Sequence, residues 1–287
     1  MTASPHRAAV LGSPIGHSLS PVLHRAAYAV LGLDWSYRAV DVDEERLPGF
    51  LDSCDDTWAG LSLTMPLKTS VLPLLHERSR LVDVVGAANT VLFRHGRRIG
   101  ENTDVPGMVR AIRELAPNAE PRTATILGGG ATARSALAAV DLLGVETVYA
   151  GLRDPGRGAH LQAVGAALGC SVRLVSWEEA SHHLDTDIVV STVPGRAADG
   201  YAQALPEAPG TLLDVAYGDQ AGELVAAWNS RGGRAADGLS LLLWQAADQV
   251  RLMTGREAPV EAMRSALMRA AREGPEGTTA SRDDAEA

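Results

Sequence analysis

Thr123-Ala-Thr-Ile-Leu127-Gly128-Gly129-Gly130-Ala131-Thr132-Ala133 is a short apolar strand that runs through glycines into a helix, Arg134 to Leu143. Each small residue has a physical use. Gly128 permits a tight turn, Gly130 lets backbone come close to a pyrophosphate, and Ala133 lets the helix pack on the strand. The helix start then offers free N–H groups and a partial positive charge to an anion. Glycines also serve simple turns, so the motif gains its force from its setting. That setting is a strand on each side with a helix between, which favours dinucleotide binding.

Working outward, Thr147–Ala150, Ser171–Val175, Ile188–Ser191 and Thr211–Val215 read as further strands, most of them separated by helices. Upstream, Val105 to Leu115 reads as a helix ending at Ala116-Pro117-Asn118, and before it lies a first α/β series. Its strands are Arg7–Gly12, Trp35–Val40 and Gly60–Thr64, with helices from about Pro21 and over Leu47–Ser53. This βαβαβ order implies parallel pairing through helical crossovers. Leu81–Val85 and Asn89–Phe93 continue the pattern, and His95-Gly96 marks a hairpin turn. Leu239 to Thr254 is a helix apolar on nearly every face, capped by Gly255, and an amphipathic stretch follows Pro259 to about Ala271. The expected fold is α/β: a substrate domain with a mostly parallel sheet over 1–104, completed by helices over 239–271, and a Rossmann-type domain over 105–238. Residues 272–287, with no large apolar side chain, are expected to be a disordered tail.

Composition excludes several classes. A net charge of −9 over 287 residues argues against a nucleic-acid partner. No apolar run reaches membrane-spanning length and Met1–Arg7 lacks a signal-peptide core, so the expected compartment is the cytoplasm. Cys54 and Cys170 are far apart without metal-ligand spacing, so free thiols and no metal are expected.

Four polar segments stand in the first half. Gly12-Ser-Pro-Ile-Gly-His17-Ser18-Leu-Ser20-Pro21 makes Ser20 a natural N-cap ahead of Pro21; Ser18 has no such explanation, and both hydroxyls could receive a carboxylate. In Ser62-Leu-Thr64-Met-Pro66-Leu-Lys68 the proline stops the strand, placing Thr64 and Lys68 at its carboxyl end, where ligands of open α/β sheets bind. For Lys68 taken alone, base rate favours a solvated surface lysine. In Gly86-Ala-Ala-Asn89-Thr90 and Gly100-Glu-Asn102-Thr103-Asp104, the asparagines could be turn residues and Asp104 could cap the next helix.

Taken together, H-S-x-S-P, T-x-P-x-K, G-A-x-N-T and N-T-D, in this order before a glycine-rich turn, closely resemble the shikimate dehydrogenase family. Ser191-Thr-Val-Pro194, Asp214-Val-Ala-Tyr217 and Asp237-Gly238 through Gln245 extend the resemblance over about residues 8 to 270. It implies that Ser18 and Ser20 bind a substrate carboxylate, that Thr64, Asn89, Asp104 and Gln245 contact ring hydroxyls, and that Tyr217 helps hold the substrate. It further implies that Lys68 is catalytic with Asp104 beside it. Gly128, Gly129, Gly130, Ala131, Thr132, Ala133, Arg153, Asp154, Arg157, Thr192, Val215 and Gly238 would bind the cofactor. The chemistry fits, because reducing a ketone needs a proton donor beside the carbonyl.

Two positions depart from the family pattern. Ser62 stands where asparagine is frequent, a change of small expected consequence, and Leu152-Arg153-Asp154 stands where N-R-T is usual. An acidic residue there suits the ribose of NAD, and an arginine suits the 2′-phosphate of NADP. Arg153 with Arg157 outweighs Asp154, so NADP is expected ahead of NAD. The implied activity is reversible reduction of 3-dehydroshikimate to shikimate, by a monomer or homodimer whose only partners are small molecules. The rivals are a quinate or amino-shikimate dehydrogenase using NAD and a catalytically silent nucleotide-binding regulator. His17 needs no chemical role, and His182-His183 reads as solvated surface.

Overall fold

The computed structural model describes residues 6–218 and 221–273. The first sheet is built from β1 (His6–Gly12), α1 (Ser20–Leu31), β2 (Trp35–Asp41), α2 (Leu47–Asp52), β3 (Trp58–Leu63), the single turn α3 (Leu67–Ser70), β4 (Glu77–Arg78), α4 (Arg80–Val85), β5 (Thr90–Arg94) and β6 (Arg97–Glu101). Its strand order is β2-β1-β3-β5-β6-β4. β1 pairs parallel with β2 and β3, and β4 parallel with β6, while β5 runs antiparallel to β3 and β6. His95 and Gly96 turn the β5–β6 hairpin with φ of 52° and 70°, the two positive values that a two-residue hairpin turn requires.

β1 shows why its sequence is apolar without alternation. Ala8 and Val10 enter one core, and Ala9 and Leu11 enter the core on the opposite face. A strand buried on both faces must be apolar on both.

The second sheet follows from α5 (Asp104–Leu115), β7 (Thr123–Leu127), α6 (Ala131–Leu142), β8 (Thr147–Leu152), α7 (Ala159–Leu168), β9 (Ser171–Ser176), β10 (Ile188–Ser191), β11 (Thr211–Asp214), α8 (Leu224–Ser230) and β12 (Arg234–Ala236). Every pairing is parallel, in the order β12-β11-β10-β7-β8-β9. From β7 the chain runs one way through β8 to β9, then crosses back to β10 on the other side of β7. A crevice opens where the order reverses, and Gly128 sits at that carboxyl end.

The last two helices are α9 (Gly238–Thr254) and α10 (Val260–Glu273). Leu243, Ala246, Val250 and Met253 of α9 pack with α1 and α10 against the first sheet, whereas Leu241 joins the core holding Met108 and Ala139. The all-round apolar sequence is explained by this double burial. Asp237 caps the helix by accepting from the Leu239 N–H, and Gly255 ends it at φ 70°. α10 continues to Glu273, so Arg272 and Glu273, expected in the tail, are helical; the amphipathic period carries on past Ala271. Residues 274–287 of that expected tail lie outside the described residues.

Candidate active site

The four polar segments of the first half converge at the carboxyl ends of β1 and β3. Gly12 makes this possible, since a Cβ there would lie 2.4 Å from Thr64 Cγ2 and 2.9 Å from the Met65 carbonyl. Ser20 is not the N-cap of α1. The helix starts at Ser20 itself, its cap position is Leu19, and the Ser20 N–H reaches Ser18 Oγ at 3.4 Å. Pro21 therefore stands one position deeper in the first turn than the capping pattern supposes, and the Ser20 hydroxyl is free to line the cavity.

Lys68 lies in α3 just past Pro66. Its Nζ donates to Asp104 Oδ2 at 2.7 Å, and both side chains are largely buried. Asp104 Oδ1 accepts from Asn89 Nδ2 at 2.8 Å, and Asn89 Oδ1 in turn accepts from the Thr103 N–H at 2.8 Å. Asp104 does not cap α5. It is the first residue of the helix, with Thr103 in the cap position, and the Val105 N–H donates instead to Asn102 Oδ1, while Asn102 donates to the Ala87 carbonyl and to Ser135 Oγ. That division of labour leaves both oxygens of Asp104 to Asn89 and Lys68. Removing either ionised partner would leave a buried charge unpaired.

Ser18, Ser20, Thr64, Lys68, Asn89, Asp104, Tyr217 and Gln245 line one cavity of about 190 Å³. Tyr217 reaches it from beyond β11. Burial raises its hydroxyl above the usual phenol range, and the Leu19 backbone beside it acts the other way. Gln245 comes from α9, anchored by its Nε2 donating to the Leu242 carbonyl at 2.9 Å. Gly107 lets α5 and α9 meet there, since its missing Cβ would lie 3.0 Å from the Gln245 nitrogen.

A second, larger cavity is lined by Gly128, Gly129, Gly130, Ala131, Thr132, Arg153, Asp154, Arg157 and Thr192. Gly128 has φ 114°, and a Cβ there would lie 2.5 Å from Thr192 Oγ1; at Gly130 there is open space. The turn thus leaves open space beside the start of α6, where backbone N–H groups suit an anion. Ala133 is wholly buried under the turn and does not line the cavity. Val215 and Gly238 face the first cavity instead. Asp154 Oδ1 accepts from the Gly156 N–H at 3.0 Å, so the loop itself occupies one oxygen of the carboxylate that would compete with a phosphate. Thr64, Lys68 and Thr132 belong to both cavities, so Lys68 stands on their common wall.

Several lining residues escaped the sequence reading. Gln249 of α9 is buried and faces the first cavity; its spacing of four from Gln245 was the available signal. His160 and Trp177 line the second, and His160 Nε2 lies 2.7 Å from the Gly129 carbonyl. Their positions carry no local sequence signal. Ser62 is more than a reduced asparagine, since it is buried and bonded to Tyr37 and Gln249. His183 is not free surface: its ring stacks on Tyr149 at 3.9 Å. Cys54 and Cys170 are free thiols, and the described residues contain no metal-binding cluster. No helix among them is long and apolar enough to cross a membrane.

Residues 10–91 match the family model for the shikimate dehydrogenase substrate binding domain, and residues 238–268 match that for the shikimate 5'-dehydrogenase C-terminal domain. The curated shikimate dehydrogenase (NADP(+)) of Thermus thermophilus is 36% identical over 267 residues, covering 92% of this chain and 98% of that protein. The crystal structure of Mycobacterium tuberculosis shikimate dehydrogenase aligns with a TM-score of 0.84 at 38% identity, covering 93% of this chain and all of the other. Quinate dehydrogenase from Corynebacterium glutamicum in complex with NAD aligns with a TM-score of 0.83 at 29% identity, covering 93% of this chain and 99% of that one.

Proposed function

The chain belongs to the shikimate dehydrogenase family, and we propose that Lys68, held by Asp104, performs the proton transfer of its reaction. That reaction is the reversible, NADP-dependent reduction of 3-dehydroshikimate to shikimate, a step of aromatic amino-acid biosynthesis in this family. One observation carries the assignment: the Lys68 ammonium lies 2.7 Å from Asp104 Oδ2 on the wall common to both cavities.

Reduction of a ketone adds hydride to carbon and a proton to oxygen. NADPH, when bound, supplies the hydride. Lys68 donates the proton to the carbonyl oxygen and stabilises the negative charge developing there. In the reverse direction its amine takes the proton from the substrate hydroxyl. Asp104 orients Lys68 through Oδ2, and Asn89 fixes the other oxygen. Ser18, Ser20 and Tyr217 receive the carboxylate end of the substrate, while Thr64, Asn89, Asp104 and Gln245 meet its ring hydroxyls. The cradle of Gly128 to Thr132 takes the pyrophosphate, and Arg153 with Arg157 takes the 2′-phosphate.

The corresponding division is a substrate domain over 1–104 completed by 239–271, with the nucleotide-binding domain over 105–238 between them. We place the protein in the cytoplasm as a monomer or homodimer acting on small molecules.

The NAD-dependent quinate reading draws on Asp154 and on the quinate dehydrogenase relative. The bond from Gly156 to Asp154 weighs against it. Initial rates with shikimate and quinate, each with NADP⁺ and NAD⁺, decide between them: the highest kcat/KM belongs to shikimate with NADP⁺. Lys68→Met is expected to lower kcat by about 10²–10⁴-fold with a much smaller change in KM. Near-normal turnover in that variant overturns the assignment.

A further inference from the structure

Lys68 and Asp104 are the near end of a continuous line of hydrogen bonds that runs along the cavity wall. At the far end Tyr37, buried in β2, donates its hydroxyl to Ser62 Oγ at 2.6 Å. Ser62 donates to Gln249 Oε1 at 2.7 Å, and Gln249 Nε2 donates to Thr90 Oγ1 at 3.0 Å. Thr90 donates to Asn89 Oδ1 at 2.9 Å, and Asn89 Nδ2 donates to Asp104 Oδ1 at 2.8 Å. Asp104 Oδ2 then accepts from Lys68. Ser62, Thr90, Asn89, Asp104 and Gln249 are all buried.

The sense of each link is fixed by chemistry. Gln249 Nε2 also lies 3.3 Å from the backbone carbonyl of Asn89, which can only accept. Turning the Gln249 amide over would set oxygen against oxygen there. With Nε2 so directed, Thr90 Oγ1 is an acceptor toward Gln249, and its single proton goes to Asn89 Oδ1. The Thr103 N–H supports the same orientation. Asn89 must then turn its NH₂ toward Asp104, where a reversed amide would meet the carboxylate with its oxygen.

We propose that Gln249 is a positioning residue for the reaction: acting through Thr90 and Asn89, it fixes the orientation of the Asp104 carboxylate and so keeps one oxygen for Lys68. This rests on the assignment of Lys68 and Asp104 made above. α9 therefore supplies two glutamines one turn apart to the same cavity wall, with Gln249 also bonded into the line that leads to Asp104. Tyr37 takes part because Ser62 is short; its hydroxyl occupies the space at this position and gives Ser62 a donor, leaving the Ser62 proton for Gln249.

The test uses the full chain and four variants, Gln249→Met, Thr90→Val, Thr90→Ser and the Gln249→Met/Thr90→Val double, beside wild type and Lys68→Met. Thr90→Val keeps the shape and removes the hydroxyl, whereas Thr90→Ser keeps the hydroxyl and removes the methyl. Gln249→Met and Thr90→Val are each expected to lower kcat about three- to thirtyfold, the scale of one buried hydrogen bond, with a smaller rise in KM for shikimate. Thr90→Ser is expected to keep most of kcat. The double variant should lose no more than the weaker single variant, because both substitutions break one path. Loss that follows the methyl, additive losses, or an unchanged kcat in Thr90→Val overturns the positioning role. If Gln249→Met does not fold, the shape-matched Thr90 pair still decides. Absence of turnover in wild type, or full turnover in Lys68→Met, is instead a failure of the functional assignment and is read from the same plate.

Discussion

His24 and Asp214 should give the protein two opposed pH dependences that nearly cancel until one is removed. His24 of α1 is wholly buried, stacked on Tyr37 at 3.9 Å, with Nδ1 3.0 Å from the Ser20 carbonyl and Nε2 without a partner among the described residues. Burial lowers its pKa from 6.5 to about 4, against a smaller opposing effect of the Ser20 carbonyl. The unfolded chain therefore binds a proton over a range where the native state does not. Stability is full above about pH 6.5 and is lost as pH falls toward 4. Between pH 8 and pH 5 this amounts to about 2 kcal/mol. Asp214 works in the other direction. Burial raises it from 3.8 to about 6, with the Ala216 N–H acting against the rise. The native state holds that proton more tightly than the unfolded chain, so acidification from pH 8 to pH 5 adds about 1.4 kcal/mol. Urea unfolding at the two pH values and constant ionic strength reads both effects. Relative to wild type, His24→Phe, which keeps a ring against Tyr37, should gain about 2 kcal/mol on going from pH 8 to pH 5. Asp214→Asn should lose about 1.4 kcal/mol over the same interval. A constant offset between His24→Phe and wild type at both pH values would refute the argument for His24.

Two further expectations concern the ligands. Arg153→Ala should raise KM for NADP⁺ strongly and leave KM for NAD⁺ nearly unchanged, and the wild-type preference for NADP⁺ should weaken as salt screens an exposed phosphate contact. Equal losses with both cofactors would mean that Arg153 holds only the adenine. Ser18→Ala should weaken substrate binding by about 1.5–3 kcal/mol with little change in melting temperature, since Ser18 Oγ receives only a long bond from the Ser20 N–H. A drop in melting temperature with an unchanged KM would make Ser18 a structural residue.

The Rossmann half was legible because its strands and helices each carry their own period and its glycine turn has a mechanical reason. The first half was legible through β1, β2 and β3 for the same reason. β4 and β12 were not: Glu77–Arg78 and Arg234–Ala236 are strands only because Ile99–Gly100 and Thr211–Leu213 pair with them. Lys68 and Asp104, far apart in sequence, were joined by family resemblance; no periodicity links them. The start of α5 at Asp104 after Thr103, and the start of α1 at Ser20 after Leu19, turn on a single residue of phase that patterning does not resolve. Asp248 and Gln249 look like the polar face of α9 yet are buried, the first against Arg110 and the second in the line behind Asn89. Only the packing of α5 along one side of α9 and of β3 and β5 along another reveals that this helix has no wet side at those positions.

α5 and α9 carry the chain into the glycine-turn half and out of it again, and they lie against each other, tied by Arg110 to Asp248 and by the Trp244 indole to Glu114. Two attachments placed side by side behave as the two knuckles of a door hinge. Swinging about their common line leaves both helices intact, whereas twisting or sliding one half past the other shears α5 along α9. A relative motion of the two halves that kept this seam would change how far Lys68 stands from the Gly128–Thr132 turn while preserving the direction from which one faces the other.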